Sequence, residues 1–369
     1  MRALFVCQPA YGHFHPLVPL ATACEDEGHD VAFVVAPSFV PVVEAAGFEA
    51  LPAGLDWLES APEAAFPETA AMGIVELGDF LFNRIFLEHA AAAMAGDLPG
   101  AFDSWGPDVV VHEGTEFGTV LAADMVEVPR VTVITDAAWP PQSLAPFFAP
   151  TLDRVRADLG LAPDPHLERL ASCLHLACYP PYFQLSPTPQ SWYPDLRPLR
   201  PVPYDGPTPP VELPRHGDRP LVLVTLGTVF AKRAGDVLQA VLDGLAQEDV
   251  DVVTALGADK WVPVGAGARQ ADVVVGHGGW GTTMATLVAG KPSLVLPQAG
   301  DQFSNAFRVE ASGAGLRLLA HAVDPGTVRR AVRELLDDPL YFANAQRLRR
   351  SIEAMPGPAE LVPVLTALT

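Results

Sequence analysis

Long apolar runs, clustered cysteines and positive charges are all scarce in this sequence. No apolar run reaches the about 18 residues that a membrane-spanning helix needs, and Met1-Arg2 leads into a short strand without a signal-peptide pattern. The 4 cysteines lack metal-ligand spacing and are too few for a disulfide framework in 369 residues. We therefore expect a cytoplasmic protein with reduced thiols and no membrane association.

The charge balance excludes further partners. Lysine and arginine together number 23, against 44 aspartates and glutamates, so the net charge is −21. Such a chain repels polyanions, which argues against nucleic acid and against anionic membrane surfaces. If the ligand is a nucleoside diphosphate, local dipoles must hold it, because the overall field repels it.

The length and the hydrophobic content of 49% suit two α/β domains. A buried strand over residues 3–7 leads into Gly12-His13-Phe14-His15-Pro16, and not into the G-x-G-x-x-G turn of dinucleotide-binding enzymes. Residues 196–220 are proline-rich, which is typical of a stiff extended linker, and the strand–turn–helix pattern restarts at Leu221. The sequence predicts a domain over 1–200, a linker over 201–220, a domain over 221–356 and a terminal helix over 357–369.

The most informative stretch covers residues 271–307. Valines 273–275 predict a buried parallel strand, which is followed by the glycine-rich turn HGGWGTT and then by a helix. Such a turn suits an anion, because free backbone N–H groups and the positive end of the helix dipole converge there. A second strand over 293–296 ends in PQAGDQ, whose side chains supply acceptors for hydroxyl groups. In open α/β sheets, ligands bind at this end of the strands.

HGGWGTT followed at this distance by PQxxDQ resembles the donor-binding signature of the family 1 glycosyltransferases. More narrowly, it resembles that of the bacterial members that decorate polyketides, macrolides and enediynes. The resemblance implies an α/β protein of the GT-B fold, in which two Rossmann-like, doubly wound parallel-sheet domains face each other across a cleft. The C-terminal domain would hold the sugar nucleotide, the N-terminal domain would bind the acceptor, and the last helix would pack back on the N-terminal domain. The turn after the first strand also matches the family's G-H-x-x-P.

His13 is the candidate general base. Its imidazole follows the first strand, and an ordinary pKa near about 6.5 suits the removal of a proton from an acceptor hydroxyl. A carboxylate on the other ring nitrogen would orient the ring, and Glu113 is placed for this at the end of another predicted strand, with Glu116 as the alternative. The family pairs its histidine with an acid, often aspartate, so the partner remains open. We expect His15 and His112 to be structural.

The donor diphosphate is expected in the HGGWGTT turn, with the turn Gly227-Thr228 on its other side. Trp261-Val262-Pro263 resembles the family segment whose aromatic ring stacks on the nucleobase. Ala285 stands where plant-type members carry a ribose-binding glutamate, which weakens a UDP preference, and the bacterial resemblance favours a dTDP-sugar. The predicted donor-binding residues are Gly227, Thr228, Trp261, Val262, His277, Gly278, Gly279, Trp280, Gly281, Thr282, Thr283, Gln298, Asp301 and Gln302.

Aromatic residues of the N-terminal half suggest a large apolar acceptor. The predicted acceptor residues are Trp57, Phe66, Phe80, Phe86 and Trp139. Asp249-Val250-Asp251 matches the metal-binding D-x-D signature in form, but it reads as an ordinary strand entrance. We therefore expect neither a metal nor a cofactor besides the donor substrate, and the turn itself must stabilise the leaving diphosphate.

These observations predict an inverting glycosyltransferase that transfers a sugar, by resemblance a deoxysugar, to a hydroxyl of a hydrophobic natural product. Two alternatives remain. One is a nucleotide-sugar epimerase or hydrolase of the same fold, which would turn over the donor without an acceptor. The other is a non-catalytic helper of a partner transferase, which His13 and its neighbouring acids argue against. The sequence leaves open the sugar, the acceptor, the linked atom and the oligomeric state, a homodimer included.

Overall fold

The computed structural model describes residues 1–184, 189–208, 211–227, 235–255 and 262–369. The chain divides into two units. The first contains Met1–Tyr179, Gln184–Arg200 and Pro356–Thr369, and the second contains Pro180–Phe183 and Pro201–Met355.

A seven-stranded parallel sheet forms the centre of the first unit. Its strands are β1 (Arg2–Val6), β2 (Asp30–Val35), β3 (Glu49–Pro52), β4 (Val109–Glu113), β5 (Arg130–Ile134), β6 (Leu174–Ala177) and β7 (Leu196–Pro198). They lie in the order β3-β2-β1-β4-β5-β6-β7. Apolar runs form these strands because both faces of a parallel sheet are covered, and residues 3–6 of β1 are fully buried. The order of the strands reverses between β1 and β4, which is where ligands bind in open α/β sheets.

Helices connect these strands. They are α1 (Tyr11–Phe14), α2 (Val18–Asp26), α3 (Val40–Ala45), α4 (Ile74–Phe80), α5 (Ala91–Trp105), α6 (Phe117–Met125), α7 (Pro141–Asp158) and α8 (Glu168–Ala171). A π-helix, Leu81–Ala90, joins α4 to α5 without a break. Departures from α-helical geometry of this kind are frequent at functional sites.

The second unit has a five-stranded parallel sheet among its described residues. Its strands are β8 (Leu221–Thr225), β9 (Asp251–Thr254), β10 (Val273–Gly276), β11 (Ser293–Val295) and β12 (Gly315–Arg317). Its helices are α9 (Gly235–Leu245), α10 (Val264–Gln270), α11 (Trp280–Ala289), α12 (Gln302–Ala311), α13 (Pro325–Asp337) and α14 (Pro339–Glu353). The strand order β9-β8-β10-β11-β12 reverses between β8 and β10. The parallel, doubly wound architecture predicted from the sequence is confirmed.

The described residues of the proline-rich stretch, 201–208 and 211–220, contact α10 at both of its ends. Asp205 accepts hydrogen bonds from Gly265 N at 2.7 Å and from Ala266 N at 2.9 Å, in the first turn of that helix. Leu213 N donates to the Gln270 side chain at 3.0 Å near the end of the same helix. This stretch is therefore anchored to the second unit. The chain then returns to the first unit with α15 (Pro358–Thr366), which packs against α2.

Candidate active site

His13 lies on α1, in the segment that follows β1. Strand β1 pairs in parallel with β4, with Val6 opposite His112. The residues that follow the two strands therefore emerge side by side at one edge of the sheet. This register brings His13 to Glu113, although the two are far apart in the sequence.

The His13 ring lies between two carboxylates. Its Nδ1 is 3.3 Å from Glu113 Oε1 and 3.2 Å from the Thr115 hydroxyl, and its Nε2 is 3.4 Å from Glu59 Oε2. The Glu113 side chain is 0% exposed, whereas those of His13 and Glu59 are 17% and 14% exposed. The Glu113 carboxylate is therefore shielded from water, whereas the Glu59 carboxylate is partly exposed to it.

Glu113 is held in place by several donors. Its carboxylate accepts hydrogen bonds from Thr115 N at 2.7 Å, from Thr115 Oγ1 at 2.8 Å and from Gln8 N at 3.4 Å. Burial raises the pKa of Glu113, but His13 and the Thr115 hydrogen bonds outweigh burial, and the pKa lies below its ordinary value. Glu113 is therefore ionised at neutral pH and fixed against Nδ1.

The two carboxylates also control the charge of His13. Burial lowers the pKa of His13, but Glu113 and Glu59 raise it further than burial lowers it, and the result lies well above 6.5. An imidazole with a carboxylate on each nitrogen donates from both and is thus an imidazolium. In this state His13 cannot accept a proton. It can act as a base only after Nε2 has lost its own proton.

Glu116, the alternative partner, is engaged at the start of α6. Its carboxylate accepts from Gly118 N at 3.1 Å, from Thr119 N at 2.7 Å and from the Thr119 hydroxyl. Burial raises the pKa of Glu116 to about 7, and the charge of Glu113 adds to the rise while the hydrogen bonds from Thr119 and Gly118 oppose it. Of the two candidate partners, Glu113 contacts His13, and Glu116 stabilises the first turn of a helix.

The other two histidines near this edge differ from His13 in their surroundings. His112 is buried, and its Nε2 lies 2.9 Å from Thr132 Oγ1 and 3.2 Å from Arg130 Nη1. Burial and the charge of Arg130 lower the pKa of His112 well below 6.5. His15 meets the ring of Tyr11 edge-on at 5.3 Å. These contacts agree with structural roles.

Glu59 was not among the predicted site residues. It lies in a turn between β3 and α4, ahead of two short 3₁₀-helices (Pro62–Ala64 and Pro67–Ala71), and its backbone N–H donates to Pro9 O at 3.4 Å, next to α1. No motif or periodicity marks it in the sequence. The one feature of the sequence that could have pointed to Glu59 is its position two residues after Trp57, a predicted acceptor residue.

Two of the predicted acceptor residues pack beside His13. Trp57 and Phe86 are 3% and 5% exposed, and their rings lie 5.7 Å apart. Phe86 belongs to the π-helix and meets the His13 ring edge-on at 5.5 Å. Phe82, one turn earlier, extends this packing to Phe148 at 5.0 Å. Phe86, with Trp57 and Phe82 packed against it, therefore forms an aromatic wall beside the His13 ring.

The other three predicted acceptor residues lie elsewhere in the first unit. Phe66 and Phe80 form a half-buried pair with ring centroids 6.0 Å apart. Trp139 is exposed, and its indole N–H donates to Asp136 at 3.4 Å. Of the five predicted acceptor residues, Phe86 contacts the His13 ring and Trp57 packs on Phe86, and the role of all five in acceptor binding stays a prediction.

The predicted donor turn begins at His277, directly after β10. Because β10 pairs with β8, the His277 ring lies against Gly227, where an added Cβ would be 2.6 Å from His277 Nε2. Burial lowers the pKa of His277 to about 4, against a backbone hydrogen bond with Thr225 that raises it. Its buried Nδ1 has no hydrogen-bond partner among the described residues. His277 is therefore neutral at neutral pH and has a nitrogen that suits a polar ligand.

The turns after β10 and β11 are tied together by Asn305, a residue that sequence reasoning missed. Asn305 is fully buried on α12 and donates to Gly278 O at 3.0 Å and to Asp301 Oδ2 at 2.8 Å. Gln302 Oε1 accepts from Gln298 N at 2.9 Å within its own turn. Side-chain oxygens of Asp301 and Gln302, two residues predicted to bind the sugar, therefore also accept hydrogen bonds that stabilise the turn. The spacing of Asp301 and Asn305, four residues apart on one helix, is the sequence signal.

The side chains of the donor turn differ in burial. Trp280 is 7% exposed and packs edge-on against Phe183 at 6.4 Å, and Thr283 is 5% exposed. The expected contact of the Thr283 hydroxyl with phosphate stays a prediction, made for a side chain that is buried in this structure. Thr282 is half-buried, and a Cβ on Gly281 would meet nothing within 4 Å. Within the described ranges no side chain caps the first turn of α11 from its N-cap residue Gly279, as an anion site requires.

Four further donor predictions have separate outcomes. Thr228 and Trp261 lie outside the described residues. The Val262 side chain is buried in the core against Leu223, and a donor contact through its backbone stays a prediction. Gln298 is buried, and within the described part of the chain neither of its amide atoms has a hydrogen-bond partner.

Both aspartates of the D-x-D sequence, Asp249 and Asp251, form ion pairs with Arg219. Asp249 lies 2.9 Å from Arg219 Nε, and Asp251, the first residue of β9, accepts from His216 N at 2.5 Å. No cluster of three or more potential metal-binding side chains occurs among the described residues. Nor does any described helix combine the length and apolarity needed to span a membrane.

Comparison with known proteins places these features in context. Residues 236–368 match the family model described as erythromycin biosynthesis protein CIII-like, C-terminal domain. L-demethylnoviosyl transferase of Streptomyces niveus is 31% identical, over 100% of this chain and 98% of its own. The structure of spinosyn forosaminyltransferase SpnP is 26% identical with a TM-score of 0.80, covering 100% of this chain and 99% of that chain. Spinosyn rhamnosyltransferase SpnG, complexed with thymidine diphosphate, is 25% identical with a TM-score of 0.76, covering 99% of this chain and 100% of that chain.

Proposed function

Because the chain belongs to the family 1 glycosyltransferases of the antibiotic type, we propose that it transfers a deoxysugar from a dTDP-sugar to a hydroxyl of a hydrophobic natural product. It is a glycosyltransferase with the GT-B fold, and both predictions from the sequence are confirmed. Another relative, aclacinomycin-T 2-deoxy-L-fucose transferase of Streptomyces galilaeus, supports a deoxysugar, and the thymidine diphosphate bound to SpnG supports a dTDP-linked donor.

The contact between His13 and the buried Glu113 carries the mechanistic part of the proposal. In the proposed step, the acceptor oxygen forms a bond to the anomeric carbon while His13 Nε2 takes its proton. The bond from that carbon to the diphosphate oxygen breaks on the opposite face, its electron pair leaves with the diphosphate, and the sugar carbon is inverted. Glu113 offsets the charge of the imidazolium as it forms. Base assistance of this kind contributes about 10²–10⁴-fold.

The turn after β10 is the proposed diphosphate site. It offers the backbone N–H groups at the start of α11, and His277 adds a donor at Nδ1 once a bound diphosphate raises its pKa and the ring is protonated. A helix dipole contributes about 0.3–1 kcal/mol to the binding of an exposed anion, and each hydrogen bond to a charged group contributes about 1.5–3 kcal/mol. Several such bonds suffice to hold a diphosphate against the net charge of −21.

The aromatic wall beside His13 supports a hydrophobic acceptor. Phe86 contacts the base directly, and Trp57 packs behind it, so an acceptor that presents its hydroxyl to Nε2 would also meet apolar surface. Ligand sites of this kind are mainly apolar, with a few polar groups that orient the ligand.

Replacement of His13 tests the base. With a panel of hydroxyanthraquinones and macrolactone alcohols and a dTDP-sugar, His13→Ala should lower turnover at least about 100-fold, while donor affinity changes little. His15→Ala, on the same segment, is the matched control and should retain near-normal turnover. Full activity of His13→Ala would refute the assignment.

Ligand-induced stabilisation tests the donor. At about 100 times its Kd, dTDP should add about 2.7 kcal/mol of stability, and UDP at the same concentration should add less. Equal consumption of the donor with and without an acceptor would instead indicate a nucleotide-sugar hydrolase or epimerase.

A further inference from the structure

His13 Nε2 has to meet the acceptor hydroxyl in the proposed reaction, yet a side chain already lies there. Glu59 Oε2 is 3.4 Å from this nitrogen. A hydroxyl that donates to Nε2 has to approach the same nitrogen, to about 2.6–3.2 Å. Glu59 and the acceptor therefore compete for one position.

The two carboxylates on His13 differ in how firmly they are held. Glu113 is 0% exposed and accepts additional hydrogen bonds from Thr115 and Gln8. Within the described part of the chain, the Glu59 carboxylate has a polar contact with His13 alone, and it is partly exposed to water. Moving the Glu59 carboxylate away from His13 therefore breaks one ion pair that is partly exposed to water. Moving Glu113 would also leave the Thr115 and Gln8 donors without an acceptor.

The charged groups around His13 come from several elements. Glu113 at the end of β4 and Glu59 in the segment after β3 act on it directly. Cys7 at the end of β1 is a buried thiol whose pKa burial raises, so it is uncharged at neutral pH. The π-helix faces His13 with the uncharged Phe86, and its Arg84 and Glu88 pair with each other. Tyr11 and His15 share the segment of His13.

We propose that the Glu59 carboxylate occupies the place of the acceptor hydroxyl at His13 Nε2 and that the arriving acceptor displaces it. This inference rests on the proposed role of His13 as the base. In the free protein, Nε2–H donates to Glu59. When the acceptor binds, Glu59 moves away, the Nε2 proton passes to bulk water, and the freed lone pair accepts a hydrogen bond from the hydroxyl. Glu59 is thus a positioning residue that makes acceptor binding release a proton.

Proton release on binding gives a direct test. Erythronolide B, a macrolactone whose hydroxyls do not titrate near neutral pH, serves as the acceptor probe in calorimetric titrations performed in two buffers of different ionisation enthalpy. The wild-type protein should release close to one proton per bound probe at neutral pH. Glu59→Gln should release measurably less than the wild type, because one of the two carboxylates that hold His13 charged, and the one the probe displaces, is gone. Glu63→Gln, an exposed glutamate of the same segment, should behave as the wild type.

The pH dependence of turnover gives a second test, which separates displacement from a purely structural role. The acid limb of kcat/KM for the acceptor reports on the free protein, and that of kcat reports on the complex. Glu59→Gln should raise kcat/KM about tenfold at the acidic end of the profile, because an opposite charge is removed from His13. The kcat limb should not move, since Glu59 has already left. Glu59→Asp, which retains the charge, should keep the wild-type profile.

Three results would overturn the inference. They are probe binding without proton release in the wild type, equal shifts of both limbs in Glu59→Gln, and an unchanged kcat/KM limb in a folded Glu59→Gln protein. If His13→Ala loses turnover in the same assays, the proposed function stands while the role of Glu59 fails. Full activity of His13→Ala would remove the base itself, so the two failures are distinguishable.

Discussion

Alanine at position 278 tests how closely the donor turn is built. Gly278 has a φ of +88°, in a left-handed region that costs a residue with a Cβ about 1–2 kcal/mol. The added methyl would also lie 2.7 Å from Val295 Cγ1 and 3.1 Å from the Gln302 carbonyl oxygen. Overpacking of this kind costs about 1–3 kcal/mol. We expect Gly278→Ala to lower the free energy of unfolding of the second unit by about 2–5 kcal/mol.

The neighbours of Gly278 cannot easily yield to the new methyl group. The Gln302 carbonyl starts α12, whose Gln302 side chain holds Gln298 N and whose Asn305 side chain holds Gly278 O. A shift of this carbonyl would therefore disturb both turns of the proposed donor site. Gly281→Ala is the matched control in the same motif, because its Cβ would meet nothing within 4 Å. Alanine in a helix is favoured over glycine by about 0.5–1 kcal/mol, so this variant should be as stable as the wild type or slightly more stable.

The assay has to resolve the second unit, because a chain of two units need not unfold in a single step. Urea unfolding gives the overall stability, and hydrogen exchange of peptides from β10 and α12 reports on the affected turns. In Gly278→Ala these peptides should exchange faster, and in Gly281→Ala they should not. Equal exchange in the two variants, or a Gly278→Ala protein as stable as the wild type, would refute the packing argument.

Two further predictions concern charge. The pKa of Glu113 is lowered, so its contribution to stability is present above about pH 4.5 and is lost as the pH falls through its folded pKa. That of His13 is raised, so its contribution is complete below about pH 6.5 and is lost as the pH rises through its folded pKa. Glu113→Gln should thus destabilise the first unit most between these values, by about 2–4 kcal/mol in urea unfolding, and a loss confined to alkaline pH would contradict this. For the donor, binding of a diphosphate should raise the pKa of His277 from about 4, so the affinity for a dTDP-sugar should increase from about pH 7.5 to about pH 5.5 in calorimetry. His277→Gln should remove this dependence, and an unchanged slope would exclude contact between His277 and the diphosphate.

Much of the architecture could be predicted from the sequence, because buried parallel strands require continuous apolar runs. Residues 3–6 and 273–275 show such runs, and both are buried strands in the structure. The strand ends also predicted that His13 and an acid meet. The choice between Glu113 and Glu116 could not be made, because a shift of three residues separates the end of β4 from the N-cap of α6. Glutamate is not a preferred N-cap residue, so no capping signal marked Glu116.

The contacts of Glu59 and Asn305 could not be predicted for a different reason. Glu59 reaches His13 from a segment without periodicity, and its distance from His13 in the sequence carries no geometric information. Asn305 bridges two turns whose separation depends on the pairing of β10 with β11. Such contacts follow from the tertiary structure. The roles assigned to these residues remain predictions until the variants are measured.

The pKa of the histidine is raised at one candidate site and lowered at the other, and this difference has a consequence for catalysis. His13 lies between two carboxylates that raise its affinity for a proton, whereas His277 is neutral and its turn offers mainly backbone dipoles. In the proposed reaction, negative charge grows on the diphosphate as the bond to the sugar breaks. That growth favours protonation of His277, whose Nδ1–H then donates to the diphosphate, so its contribution is larger in the transition state than in the bound donor. Interactions of this kind raise kcat rather than ground-state affinity. A chain of net charge −21 can therefore bind its donor modestly and still stabilise the leaving group without lysine.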